Sequence, residues 1–165
     1  MVALGIGEGD EVIVPANTYI ATAWGVTYTG ATPVFVDCTA DTWEIDPDKI
    51  EEKITEKTKA IIGVHLYGQP FEFNKVKEIA DRHHLYVVED NAQSVGADYI
   101  FSDGRVRKAG TIGHIGTTSF FPSKPLSWKK PVCVWRRRKC NRLSKRVFRY
   151  DRNDEKSRLY SALLS

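Results

Sequence analysis

The stretch TTSFFPSK, Thr117–Lys124, reads as a short buried strand over 117–121 that runs into a Pro-Ser-Lys turn. β-Branched and aromatic residues suit a pleated, half-buried segment, and Pro122 lacks the amide needed to extend a ladder. Lys124 then stands just past a strand's carboxyl end, where open α/β sheets collect their ligand chemistry. With Ser119 and Ser123 close by in sequence, its amine could hold an aldehyde cofactor as a Schiff base. The same residue also reads as a solvated loop lysine, because lysines are mostly exposed. Taken alone, the octapeptide favours the solvated lysine, and the segments before it must change that.

Working back toward the amino terminus, strands and helices alternate. GIGEGDEVIVPA predicts a glycine-rich turn, then a buried strand at Val12-Ile13-Val14 ended by Pro15. Those glycines precede the strand, the reverse of a dinucleotide fingerprint, so no phosphate loop is assigned there. NTYIATAWGVTYTG predicts a helix capped by Asn17 or Thr18 and stopped at Gly30, with Gly25 weakening its interior. Tyr19 falls in its first turn, as a core aromatic or as a platform for a flat cofactor. PVFVDC is a second strand, and DPDKIEEKI a helix with Asp46 as cap and Pro47 at its first position. KAIIGVHLYG is a third strand, with His65 and Tyr67 near its end. NKVKEIADRHH is an amphipathic helix with Val76, Ile79, Ala80 and His83 on one face, its two histidines at the solvated carboxyl end. LYVVED is a fourth strand ending in Glu89 and Asp90. A polar excursion around Asp103-Gly104 predicts a hairpin or loop. Apolar strands spaced by helices imply parallel pairing, so the expected fold is α/β, a doubly wound and mostly parallel sheet.

Composition sets the outer bounds. The chain has 165 residues, 42% hydrophobic and 27% charged, which fits one soluble globular domain. No apolar run approaches the roughly 20 residues that span a bilayer, and the opening MVALGIGEGD reads as no secretory leader. Cys38, Cys133 and Cys140 lack the spacing of a zinc site or a disulfide framework. They fit a reducing compartment, so a cytoplasmic protein without a metal is expected. The net charge of +3 conceals an asymmetry: residues 1–124 carry 11 Lys+Arg against 18 Asp+Glu, and residues 125–165 carry 13 against 3. All 12 glycines precede Lys124.

Three candidate groups thus fall at strand ends: Tyr19, Asp90 with Gln93, and Ser119 with Lys124. Pyridoxal phosphate needs a lysine amine for its aldehyde and a carboxylate to keep its pyridine nitrogen protonated. It also needs hydroxyls or amides for its phosphate and a flat cover for its ring. The candidates supply each of these. Asp90 could equally cap a helix at Asn91, with Glu89 as the functional acid. The runs GDEVIVPANTYIATA, GATPVFVD, VHLYGQP, VVEDNAQSVGA and TTSFFPSK, in this order and spacing across residues 3–126, resemble the DegT/DnrJ/EryC1/StrS family. These are fold-type-I, pyridoxal-phosphate-dependent sugar aminotransferases. The resemblance implies that Lys124 is the Schiff-base lysine and that Asp90 partners the pyridine nitrogen. It further implies that Gln93 bonds the ring oxygen, Ser119 contacts the phosphate and Tyr19 stacks on the ring; His65 and Tyr67 receive no role. It implies an amino donor, usually glutamate, a nucleotide-linked keto deoxysugar as acceptor, and a homodimer. Lys124 argues against the family's dehydratase variant, which carries histidine there.

Two departures accompany the resemblance. The family has a glycine-rich phosphate-binding turn ahead of the position matching residue 3, and beyond the lysine it continues into a Gly-Asp-Gly-Gly hairpin. Here SWKKPVCVWRRRKCNRLSKRVF stands instead. Read one nucleotide later, the codons of Val134–Arg138 permit Tyr-Gly-Asp-Gly-Gly, so a frameshift between Leu126 and Val132 is expected. The organisation read from sequence is therefore a partial cofactor-binding large domain at 1–126 and a basic, out-of-frame, poorly ordered tail at 127–165, together a remnant of little or no activity. The other reading of the tail is a nucleic-acid-binding arm, with Trp128, Trp135, Phe148 and Tyr150 interleaved among its cations.

Overall fold

A computed structural model describes residues 1–119 and, beyond them, the backbone of three strands at 132–137, 146–149 and 160–163. The sheet is built from β1 (Glu11–Pro15), β2 (Thr32–Val36), β3 (Thr58–Val64), β4 (Tyr86–Asp90), β7 (Ile115–Ser119), β8 (Val132–Arg137), β9 (Arg146–Arg149) and β10 (Tyr160–Leu163). Its order is β10-β9-β8-β7-β4-β3-β1-β2. The strands from β2 to β7 pair in parallel, and the β7–β8, β8–β9 and β9–β10 pairs are antiparallel. A separate hairpin, β5 (Asp98–Ile100) with β6 (Val106–Lys108), turns through Gly104 at φ 79°. This is the excursion expected around Asp103-Gly104.

The two helices of the parallel part lie on opposite faces. α1 (Ala21–Thr27) connects β1 to β2, and α2 (Phe73–Arg82) connects β3 to β4. The chain steps outward from β1 to β2 and then back across β1 to β3 and β4, so right-handed crossovers place their helices on opposite sides. One apolar core joins Ile13, Ile61 and Val87 to Phe71, Phe73, Val76, Ile79 and Ala80 on the α2 side. The other joins Val12, Val14, Ala60, Ile62, Val64 and Val88 to Val26 on the α1 side. Adjacent strand residues divide between the two, as the two-residue period of a strand requires.

Local elements depart from the sequence reading in places. α1 begins at Ala21 with Ile20 as its N-cap, and neither Asn17 nor Thr18 caps it. Asn17 Nδ2 donates instead to the Trp43 carbonyl (3.1 Å), and the Thr18 and Thr22 hydroxyls bond each other (2.9 Å). Asp46 caps as expected, accepting from the Asp48 amide at 3.0 Å, but the segment after it forms two 3₁₀ turns, Pro47–Lys49 and Glu51–Lys53. His83, at the end of α2, is exposed and bonds Glu51 at 2.9 Å.

Two glycines bear on stability in opposite ways. A Cβ on Gly116 would lie 1.9 Å from the Gly110 carbonyl oxygen, a backbone atom that cannot move aside, whereas one on Gly25 would meet nothing within 4 Å. Gly116→Ala is expected to lower the unfolding free energy by about 1–3 kcal/mol or more. Gly25→Ala, in an exposed helix interior, should raise it by about 0.5–1 kcal/mol. Urea unfolding of both variants checks the pair.

Glu44 gives a pH dependence. It is buried after β2 with Oε1 unpartnered. Burial, reinforced by the Glu72 and Asp41 carboxylates and opposed by a Thr42 hydrogen bond, pushes its carboxyl up to about 7 from 4.5. Below 4.5 the group is protonated in both folded and unfolded chains and is neutral in its effect. Between 4.5 and about 7 only the unfolded chain ionises, so stability is lost as pH rises, by up to about 3 kcal/mol. Glu44→Gln should flatten the urea midpoint across that window and leave it little changed below it.

Candidate functional site

The carboxyl ends of β1, β3, β4 and β7 open on one edge of the sheet, and most candidate residues stand there. Asp90 is the last residue of β4, in register with Val64 of β3 and Thr117 of β7. Val88, two residues earlier, belongs to the core on the α1 side, so Asp90 faces that side as well. Its Oδ2 accepts from the buried Thr22 hydroxyl of α1 at 2.9 Å, and its Oδ1 accepts from the Ala92 amide at 3.1 Å. A turn succeeds Asp90, so it caps no helix.

Glu89 points the other way and is fully buried. Its Oε2 accepts from the Gly110 amide (2.7 Å) and meets His65 Nε2 at 3.0 Å. Its Oε1 accepts from the Ile112 amide at 2.6 Å and from the Gly113 amide. His65 Nδ1 accepts from the Phe71 amide at 3.3 Å, which leaves the hydrogen on Nε2, aimed at Glu89. Glu89 is thus saturated inside the protein, and Asp90 is the carboxylate at the strand ends. His65 is a structural residue, stacked on Phe71 with ring centroids 4.8 Å apart.

The remaining candidates line the same edge. Tyr19, between β1 and α1, is 69% exposed, and Tyr67, after β3, is 80% exposed. Gln93 is half-buried, and its Oε1 accepts from the Tyr67 amide at 3.1 Å. Ser119 closes β7 two residues beyond Thr117, the register partner of Asp90. Lys124 lies outside the described residues, so the structure brings together Tyr19, Asp90, Gln93 and Ser119 but does not place the lysine.

The arrangement fits pyridoxal phosphate in its donor chemistry. It offers a carboxylate steadied on both oxygens for a protonated ring nitrogen, an exposed aromatic ring, an amide whose nitrogen is left to donate, and a hydroxyl. Sequence reasoning missed Thr22. It stands three residues after Tyr19, at helical spacing, but only the docking of α1 on β4 reveals its bond to Asp90. Among the described residues no helix is long and apolar enough to cross a membrane, and no group of three or more His, Cys, Asp or Glu residues is arranged to hold a metal ion.

Known proteins share both the sequence and the fold. The sequence model of the DegT/DnrJ/EryC1/StrS aminotransferase family matches residues 1–130. GDP-perosamine synthase of Escherichia coli O157:H7 is 48% identical over 127 residues, which are 77% of this chain and 34% of that protein. The chain thus spans about a third of the length of the curated relatives it matches. The crystal structure of Streptomyces venezuelae DesV in complex with a ketimine intermediate superposes with a TM-score of 0.71 at 47% identity, covering 76% of this chain and 33% of that one. Bacillus subtilis NtdA, with the cofactor PMP bound, gives 0.66 at 41% identity, covering 76% and 27%. With the family's blocks in order, its fold reproduced and its sequence model matched across residues 1–130, the chain belongs to the DegT/DnrJ/EryC1/StrS aminotransferase family.

Proposed function

We propose that this chain holds pyridoxal 5′-phosphate across the carboxyl ends of β1, β4 and β7. In an in-frame protein of the family such a site would serve amino transfer from an amino acid such as glutamate to a keto group of a nucleotide-linked deoxysugar, in a homodimer. With the frame change inferred below, this chain itself is expected to have little or no activity. The family is one of pyridoxal-phosphate-dependent sugar aminotransferases. The observation that carries the proposal to these residues is the Asp90 carboxylate, set at the strand ends by the Thr22 hydroxyl and the Ala92 amide while Glu89 is consumed inside the protein.

When bound, the cofactor supplies an aldehyde for the donor amine and a protonated ring that withdraws electrons from the reacting carbon. The chain's own residues do the rest. Asp90 keeps a proton on the ring nitrogen, and Thr22 holds Asp90 in place. Tyr19 covers a ring face, Gln93 donates to the ring oxygen, and the Ser119 hydroxyl takes the phosphate. Lys124 would hold the aldehyde through its amine, and that amine, when free, would be the chain's group for proton transfer.

We infer also that the reading frame changes between Leu126 and Val132, leaving the residues after the change outside the family's domain. The family match over residues 1–130 supports this, as do the glycine distribution and the permitted Tyr-Gly-Asp-Gly-Gly of the shifted frame. Sequencing the DNA across codons 126–132 and finding only the present frame in independent isolates would remove this inference.

Incubation with pyridoxal phosphate, borohydride reduction and peptide mapping should place the label on Lys124; label spread over surface lysines would overturn the assignment. Asp90→Asn is expected to weaken cofactor binding about ten- to a hundredfold, the worth of one charge-assisted hydrogen bond. Thr22→Val should weaken it about fivefold, read by the same absorbance titration.

A further inference from the structure

The turn after β3 is built in an unusual way. The Gln69 amide donates to the Leu66 carbonyl at 2.8 Å, closing a four-residue turn whose central residues are Tyr67 and Gly68. Both have positive φ, 52° and 89°, the signature of a primed turn. Glycine takes that conformation freely. Tyrosine does not, because its Cβ crowds the following carbonyl. A strained, well-defined residue at the edge of a site is grounds for asking what the strain achieves.

Here it aims an amide. The Tyr67 N–H donates to Gln93 Oε1 at 3.1 Å, across 26 residues of sequence. A backbone N–H can only donate, so the side-chain atom facing it must be the amide oxygen. Gln93 is thereby held in one of its two flip states, with Nε2 on the side away from Tyr67. The neighbouring Ser94 hydroxyl donates to the His65 carbonyl at 2.8 Å, which fixes the backbone on either side of the pair. The Tyr67 ring itself is 80% exposed and has no part in this bond.

We propose that the left-handed Tyr67-Gly68 turn is a positioning device: its Tyr67 amide locks the flip state of Gln93, so that the strand-end site receives a hydrogen-bond donor, Nε2, suited to an anionic oxygen. Tyr67 is a positioning residue through its backbone. The inference rests on the proposed cofactor site for what that oxygen is, the ring oxygen of pyridoxal phosphate; the locked flip state stands on this chain alone.

Two measurements on the full chain test it. In the first, amide hydrogen exchange is followed at Tyr67, with Ile61 in β3 as the internal reference for folding. Gln93→Ala should speed exchange at Tyr67 about five- to tenfold relative to Ile61, the worth of one hydrogen bond, while Gln93→Glu, which keeps an acceptor there, should retain protection. Equal protection in the wild type and Gln93→Ala would overturn the proposal. In the second, pyridoxal phosphate is titrated by absorbance. Gln93→Glu should weaken binding about tenfold or more, because an oxygen replaces the donor, while Tyr67→Gly should stay within about twofold, because it keeps the amide and suits the left-handed turn. A Tyr67→Gly loss as large as that of Gln93→Glu would show that the ring acts and not the turn, and would sink the proposal. Absence of cofactor binding by the wild type would remove the cofactor reading alone, with the exchange measurement still deciding the flip state.

Discussion

The buried carboxylate of Glu89 is the constraint on which this part of the sheet depends. Taking a carboxylate out of water costs several kcal/mol unless hydrogen bonds replace the lost solvation. Here three backbone amides, from Gly110, Ile112 and Gly113, and the His65 ring converge on its two oxygens. The amides come from the segment that leads into β7, so satisfying the charge dictates where β7 begins. The same segment is pinned at His114, whose amide donates to the Val87 carbonyl (2.8 Å) and whose Nδ1 accepts from the Val87 amide (2.9 Å). The glycines are a result of this crowding. A side chain on Gly113 would press on the Val87 carbonyl, and one on Gly116 would overlap the Gly110 carbonyl.

The consequence for the site is register. With the 110–114 segment wrapped on Glu89, Thr117 falls opposite Asp90, and Ser119 lies one pleat further along the open edge. Adjacent acids on β4 thus play opposite parts. The inward one organises a loop, and its neighbour, rotated to the other face by the strand's period, stands at the strand ends with Thr22 and Ala92 on its oxygens. The topology adds the third side. α1 lies on the Asp90 face because the chain reverses direction across β1, and its Thr22 therefore reaches a carboxylate 68 residues away. Placement of chemistry at the carboxyl ends of parallel strands needs no feature beyond these.

Much of this was legible in the residues. Apolar runs such as Val12-Ile13-Val14 and Ala60-Ile61-Ile62 admit only buried strands between helices, and the stripe Val76, Ile79, Ala80 permits only one face of α2 to pack inward. Asp103-Gly104 marked a hairpin or loop, which is a hairpin, and Asp46 with Pro47 marked a helical start, which is 3₁₀. The start of α1 was not legible, because Asn17 and Thr18 have side chains able to cap and the fold directs them to Trp43 and Thr22. Nor was the shortness of the turns after Pro47.

The sequence by itself determined the alternation of strands and helices, the family blocks, and the set of candidates Tyr19, Asp90, Gln93, Ser119 and Lys124, because periodicity and residue chemistry are local properties. Only the tertiary structure buried Glu89 and set Asp90 at the strand ends, bound Thr22 to the latter, turned His65 into a structural residue and set the Gln93 Oε1 on the Tyr67 amide. Each of those outcomes rests on a hydrogen bond between residues far apart in the chain, and such a partner is chosen by how the sheet closes.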